Sequence, residues 1–184
     1  MAKTTLIIGI GSTGLNIIEE AQQYHYEFIG KNKPGKNVEY LYLETDISNK
    51  SKSTAGGKSM INPVFVNFTD IDVDIKQYRK KMGSKVEWIP PVEYLESGNN
   101  GAGGMPAFGR LSMWKIYNFE NLKSTILNKF SAINGDAETL IYVVGTLTGG
   151  TGSGLSVDIA YLLQEILPQC ANNIQALFLL PDEA

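Results

Sequence analysis

The stretch Thr146-Leu147-Thr148-Gly149-Gly150-Thr151-Gly152-Ser153-Gly154 constrains the fold of this chain more than any other. The apolar run Leu140–Val144 precedes it, and an amphipathic pattern of Leu155, Val157, Ile159, Leu162, Leu163, Ile166 and Leu167 follows. The reading is a buried strand, a glycine loop and a helix over 155–167. Four glycines in six residues leave little side chain to hold off a ligand, and they tolerate backbone angles that other residues avoid. The loop is expected to turn its N–H groups inward, beside the hydroxyls of Thr151 and Ser153. The helix that opens there adds unpaired N–H groups and partial positive charge. The expectation is an anion site, most naturally for phosphate; the alternative is a flexible turn between two core elements.

A second unit of this kind opens the chain. Residues 4–8 form a short β-rich run, Gly9-Ile10-Gly11-Ser12-Thr13-Gly14 follows, and Leu15, Ile17, Ile18, Ala21 and Phe28 fall at helical spacing. Gly9, Gly11 and Gly14 fit the dinucleotide fingerprint, a pattern that is weak alone. His25, the only histidine, reads as structural or solvent-exposed. After a polar loop over 30–37, Val38–Leu43 alternates as a second strand and ends in Glu44-Thr45-Asp46. An acid there suits a ribose hydroxyl, a Mg²⁺-bound water near phosphates, or the opening of a turn.

Residues 47–100 read as a long insertion over one sheet edge. It holds a Ser/Lys/Gly-rich loop over 48–59, a short strand at 64–68, a short helix from Ile71 to Met82 and an extended segment over 86–95. Gly57-Lys58-Ser59 is no P-loop, since Lys52 stands where the first glycine is required. Glycine returns over 98–104, and Pro106 suits a helix start, with Leu111, Trp114, Tyr117, Leu122, Ile126 and Phe130 on its buried side. Arg110, in the first turn, opposes the helix dipole; a carboxylate, a ligand phosphate or plain solvent exposure would account for it. Ile174–Leu180 is expected as a last buried strand.

This alternation predicts an α/β fold: a three-layer, mostly parallel sheet with helices on both faces, Rossmann-like, with its ligand at the carboxyl ends of the strands. The length, 184 residues, suits one domain. A net charge of -3 argues against nucleic acid as a main partner, and Lys76, Arg79, Lys80, Lys81 and Lys85 read as a solvated helix face. With Cys170 the single cysteine, no internal disulfide can form, and a cytoplasmic location is expected. No segment approaches 18 apolar residues.

Four of these loops together resemble the tubulin/FtsZ superfamily. Gly149-Gly150-Thr151-Gly152-Ser153-Gly154 is similar to its signature Gly-Gly-Gly-Thr-Gly-Ser/Thr-Gly, with Thr148 at the first position. Gly9 through Asn16 resembles the first nucleotide loop, and Thr45-Asp46 the second. Gly101-Ala102-Gly103-Gly104-Met105-Pro106 with Gly109-Arg110 is similar to an FtsZ loop in which Asn stands at the place of Met105. The resemblance implies a GTP/GDP-binding domain with Mg²⁺. Gly11, Ser12, Thr13 and Gly14 would line the diphosphate, and Asn16 would reach the base or ribose. Ala102, Gly103 and Gly104 would meet the γ-phosphate; Gly149, Gly150, Thr151, Gly152 and Ser153 would cradle the α- and β-phosphates. Asp46 would sit near Mg²⁺ and Glu183 near the ribose.

The resemblance further implies that 1–184 is the N-terminal portion of a longer protein that stacks head to tail into filaments. The hydrolytic acid would come from the next subunit, so no catalytic residue is assigned here and this chain alone should turn over little GTP. Competing readings are an NAD(P)-binding oxidoreductase domain using Gly9, Gly11, Gly14 and Glu44 or Asp46, and a non-catalytic assembly scaffold.

Overall fold

The computed structural model describes residues 3–29, 37–46, 64–65, 80, 88–89, 101–114 and 116–180. Among these residues five strands form one parallel sheet: β1 (Thr5–Ile10), β2 (Val38–Glu44), β3 (Val64–Phe65), β4 (Leu140–Thr146) and β5 (Ile174–Leu179). Their spatial order is β3-β2-β1-β4-β5. Helix α1 (Gly11–Ile29) follows β1. Helices α2 (Pro106–Trp114) and α3 (Ile116–Ala132) precede β4, and α4 (Gly150–Ile166) follows it. A 3-10 helix, Pro168–Asn173, leads into β5.

Strand periodicity sorts the core into two halves. Leu6, Ile8, Ile10, Leu41, Leu43, Ile141 and Val143 point to one face and pack with Leu122 and Ile126 of α3 and Leu155 and Ile159 of α4. Ile7, Tyr40, Tyr42, Tyr142 and Val144 point to the other and pack with Leu15 and Ile18 of α1. The three layers are therefore those the alternation predicts. Each fully buried Leu or Ile contributes about 1.5–3 kcal/mol to holding them together. Thr5 of β1 pairs with both Val38 and Leu140, so the first strand is the centre of the sheet. Chain order reverses between β1 and β4, leaving a crevice outside their carboxyl ends.

Three elements differ from expectation. The helix of 155–167 starts at Gly150, so the glycine-rich signature forms its first turns. The segment after Pro106 is described as two helices, α2 and α3, and Trp114 at the end of α2, expected on the buried side, is 44% exposed. β5 is only half buried. Ile174 and Phe178 join the core on the α3/α4 side, whereas Leu177 and Leu179 are 56% and 57% exposed on the α1 side, at the sheet's edge. Of the short strand expected at 64–68, Val64 and Phe65 form β3 and pair in parallel with Leu43 and Glu44, while 66–68 lie outside the described residues. The expected helix of 71–82 lies outside the described residues save Lys80, and the segment 86–95 save Trp88 and Ile89. No helix among the described residues is long and apolar enough to cross a membrane.

Candidate functional site

Four connections meet at the carboxyl rim. At the first, Gly11 takes φ +71, a left-handed turn that a side chain disfavours, and starts α1. Gly9 and Gly14 serve another purpose. A Cβ on Gly14 would lie 2.7 Å from the Gly9 carbonyl carbon and 2.9 Å from Val144 O, so these glycines let α1 sit directly on the sheet.

At the rim end of β4, Gly149 precedes α4 in an extended conformation, with no side chain capping the helix. The N–H groups of the first turn are accordingly uncapped by any side chain. Glycine is required here by crowding: Gly109, Gly150, Gly152 and Gly154 are absent from the left-handed positions. A Cβ on Gly152 would meet Thr146 O at 2.2 Å, on Gly154 Pro106 O at 2.2 Å, and on Gly109 Gly150 O at 2.3 Å. The signature thus packs α4 against α2 backbone to backbone. The loop Gly101–Gly104 is the opposite case. Gly101, Gly103 and Gly104 all have positive φ, and around a Cβ on Gly103 or Gly104 there is open space. Ala102, the one residue of the four with a side chain, is buried beside Phe108.

The end of β2 ties these segments together. Glu44 is 3% exposed and accepts hydrogen bonds from Tyr42 Oη (2.5 Å), Thr45 N (2.8 Å) and Asp46 N (3.2 Å). Burial first, then the Glu44 hydrogen bond and neighbouring carboxylates, push the Tyr42 phenol far above its ordinary range, so it stays a donor. Thr45 Oγ1 lies 2.5 Å from Thr151 Oγ1 and accepts from Ala102 N at 3.1 Å.

The result is a cavity of about 230 Å³. Gly11, Ser12, Thr13, Glu44, Asp46, Gly101, Ala102, Gly103, Gly104, Thr146, Gly149, Gly150, Thr151 and Gly152 line it. Most of the residues singled out from the sequence therefore share one wall-to-wall space. Gly14 is spent on packing, Asn16 is exposed on α1, and Ser153 turns its hydroxyl back to Gly149 O; these three do not line the cavity. Glu183 lies outside the described residues.

Arg110 is held by a carboxylate, Asp158, at 3.0 Å, and packs against the rings of Trp88 and Trp114 at 5.0 and 5.9 Å. Sequence reasoning did not find Glu44 as the buried anchor, and it named Thr45 and Thr146 only as members of their loops, with no role of their own. Strand periodicity could have found the first, since Tyr42 and Glu44, two residues apart, must share a face.

Chemically, the cavity offers backbone amides of a helix N-terminus, hydroxyls of Ser12 and Thr13, and two carboxylates. Amides and hydroxyls suit phosphate oxygens. The carboxylates would repel phosphate unless a divalent cation stood between them. Among the described residues no group of three or more His, Cys, Asp or Glu could hold such an ion. A cation carried in on the phosphates, reaching the protein through one carboxylate and water, fits this donor set.

The strand order and the multi-loop cavity over the β1/β4 crevice define a Rossmann-like α/β domain of the tubulin/FtsZ type. The profile of the family described as tubulin like matches residues 6–184, and the chain belongs to that family. No curated protein matches it. Among solved structures, CetZ2 from Haloferax volcanii, a GTPγS-bound protofilament, aligns at TM-score 0.61 and 17% identity, covering 98% of this chain and 41% of that one. An empty FtsZ dimer from M. jannaschii aligns at 0.51 and 16%, covering 91% and 34%. A tryptophan-to-tyrosine mutant of M. jannaschii FtsZ aligns at 0.53 and 18%, covering 97% and 38%. At these identities the likeness is one of fold, and this chain spans well under half the length of each.

Proposed function

We propose that this chain is the guanine-nucleotide-binding domain of a tubulin/FtsZ-like, filament-forming GTPase. The observation that carries the reading is the convergence of four loops from distant parts of the chain on one cavity lined by backbone amides and hydroxyls. In this reading the amides of Gly150, Thr151 and Gly152 hold the α- and β-phosphates. Gly11, Ser12 and Thr13 close the diphosphate from the side of β1. Ala102, Gly103 and Gly104 face the third phosphate. Asp46, which lines the cavity, would hold Mg²⁺, and the ion would supply charge neutralisation to the phosphates.

Hydrolysis is assigned to the junction between stacked subunits, where the next copy contributes the acid that orients water. The GTPγS-bound protofilament of CetZ2 supports both the nucleotide and the mode of stacking. A cytoplasmic location accords with both. We further assign residues 1–184 to one nucleotide-binding domain, with 47–100 as an insertion at the β3 edge. The dehydrogenase reading is less favoured: it leaves the amides of α4 without a purpose, and of its two candidate acids, Glu44 and Asp46, the first is already engaged by Tyr42 and two backbone amides.

Thermal-shift titration tests this. At a hundredfold excess over Kd, GTP or GDP stabilises by about 2.7 kcal/mol. For a chain of this size that raises Tm by roughly 5–10 °C. NADH leaves Tm unchanged. A shift with NADH and none with guanine nucleotides overturns the assignment.

A further inference from the structure

Thr45 stands at the rim end of β2 and is 1% exposed. Its hydroxyl joins two segments far away in sequence: Ala102 N donates to it at 3.1 Å, and Thr151 Oγ1 is 2.5 Å distant. Thr151 Oγ1 is in turn 3.4 Å from Glu44 Oε1. An amide N–H can only donate and a carboxylate can only accept, whereas each hydroxyl has one proton. A single order uses both protons: Ala102 N–H to Thr45, Thr45 O–H to Thr151, Thr151 O–H to Glu44. Glu44 is itself fixed by Tyr42 and by two amides of the strand end. The chain is thus anchored on the rigid sheet at one end. Its other end is a loop of three left-handed glycines with open space around Gly103 and Gly104.

We propose that Thr45 is a positioning residue that sets how this site distinguishes a nucleoside triphosphate from a diphosphate. The proposal rests on the nucleotide reading above. Thr151 belongs to the α4 wall of the cavity and Ala102 to the glycine wall beside it. Thr45 holds the two walls at a fixed separation through one buried oxygen. A ligand that touches only the α4 wall is indifferent to where the glycine wall stands. A ligand one phosphate longer spans to that wall and needs its amides already in place. Without the Thr45 hydroxyl, Ala102 N–H loses its acceptor and Thr151 Oγ1 loses its donor. The glycine wall then samples other positions before it can meet the third phosphate.

Thr45→Val keeps the shape and removes the hydroxyl; Thr45→Ser keeps the hydroxyl. Two measurements separate this proposal from the reading beneath it. In the nucleotide-free protein, hydrogen exchange at the Ala102 amide should quicken at least tenfold in T45V and return towards wild type in T45S. In binding titrations with GTPγS and GDP, T45V should lower the ratio of triphosphate to diphosphate affinity about tenfold, with GDP affinity little changed and T45S restoring the ratio. Unchanged Ala102 exchange, an unchanged ratio, or an equal loss for both nucleotides overturns the positioning role while leaving the nucleotide site standing. A wild-type protein that binds neither nucleotide overturns the nucleotide reading, and the triphosphate role with it, whatever the exchange shows.

Discussion

Substituting Gly154 by alanine tests the claim that the glycine signature exists to bring α4 against α2. A Cβ at this position would lie 2.2 Å from Pro106 O and 2.8 Å from both Arg110 N and Gly109 Cα. All three are backbone atoms, so no rotamer change relieves the contact. The helices must separate by about 1 Å to restore ordinary van der Waals distances. Overpacking of this kind costs about 3 kcal/mol, the upper end of the usual range. Alanine inside a helix returns about 1 kcal/mol relative to glycine. The net loss is about 2 kcal/mol, or roughly 4–8 °C in Tm for a chain of this length.

Gly149→Ala is the control. Its Cβ would meet only Thr146 Cγ2, at 3.8 Å, and its backbone is extended, so the cost stays below about 1 kcal/mol. Differential scanning calorimetry of the two variants beside wild type decides the matter. A Gly154→Ala protein as stable as wild type would refute the packing argument and return these glycines to a conformational role.

Tyr42 offers a pH test. Its phenol is raised above the ordinary value of about 10, so the stability it contributes is present below pH 10 and is lost as pH rises further. Urea midpoints measured from pH 8 to 11 should fall more steeply for wild type than for Tyr42→Phe; parallel slopes would exclude it. Cys170 is fully buried, donates to Asp136 O, and has its thiol pushed up by burial and by the Asp136 carboxylate. A disulfide reagent at pH 7.5 should label the folded protein at least about 100-fold more slowly than the urea-unfolded one, since reaction awaits local opening. Arg110→Ala should cost about 0.5–1.5 kcal/mol, because its ion pair is 43% exposed on the arginine side and its stacking on two tryptophans is partly solvated. The nucleotide-induced thermal shift should persist unchanged in that variant, since Arg110 faces Asp158 and away from the cavity.

The layered fold was readable because strand and helix periods are local. Leu6, Ile8 and Ile10 alternate whatever they later touch, and Leu155, Ile159, Leu162 and Leu163 mark a helical stripe in the same way. The site was readable as far as glycines mark places where side chains are unwelcome. Their reasons were not. Gly11 and Gly101 answer to backbone angle, Gly14 and Gly154 to the closeness of another backbone, and the letter G is the same in both cases. Trp114 and Leu177 misled for a related cause. Periodicity says that a face is apolar, whereas burial depends on what the rest of the fold brings against that face and on which strand ends up at the edge.

The order of residues along the chain settled that there would be a parallel sheet, that helices would flank it, and that glycine-bearing turns would stand at its carboxyl rim. It could not say that Thr45 would meet Thr151 across 106 positions, or that Glu44 would anchor the pair. Hydrogen bonds of that kind carry no local period, because their partners are brought together by the crossing of strands and helices. They come into being when β2, α4 and the Gly101–Gly104 turn reach the same rim, and it is there that a row of separate loops becomes one site.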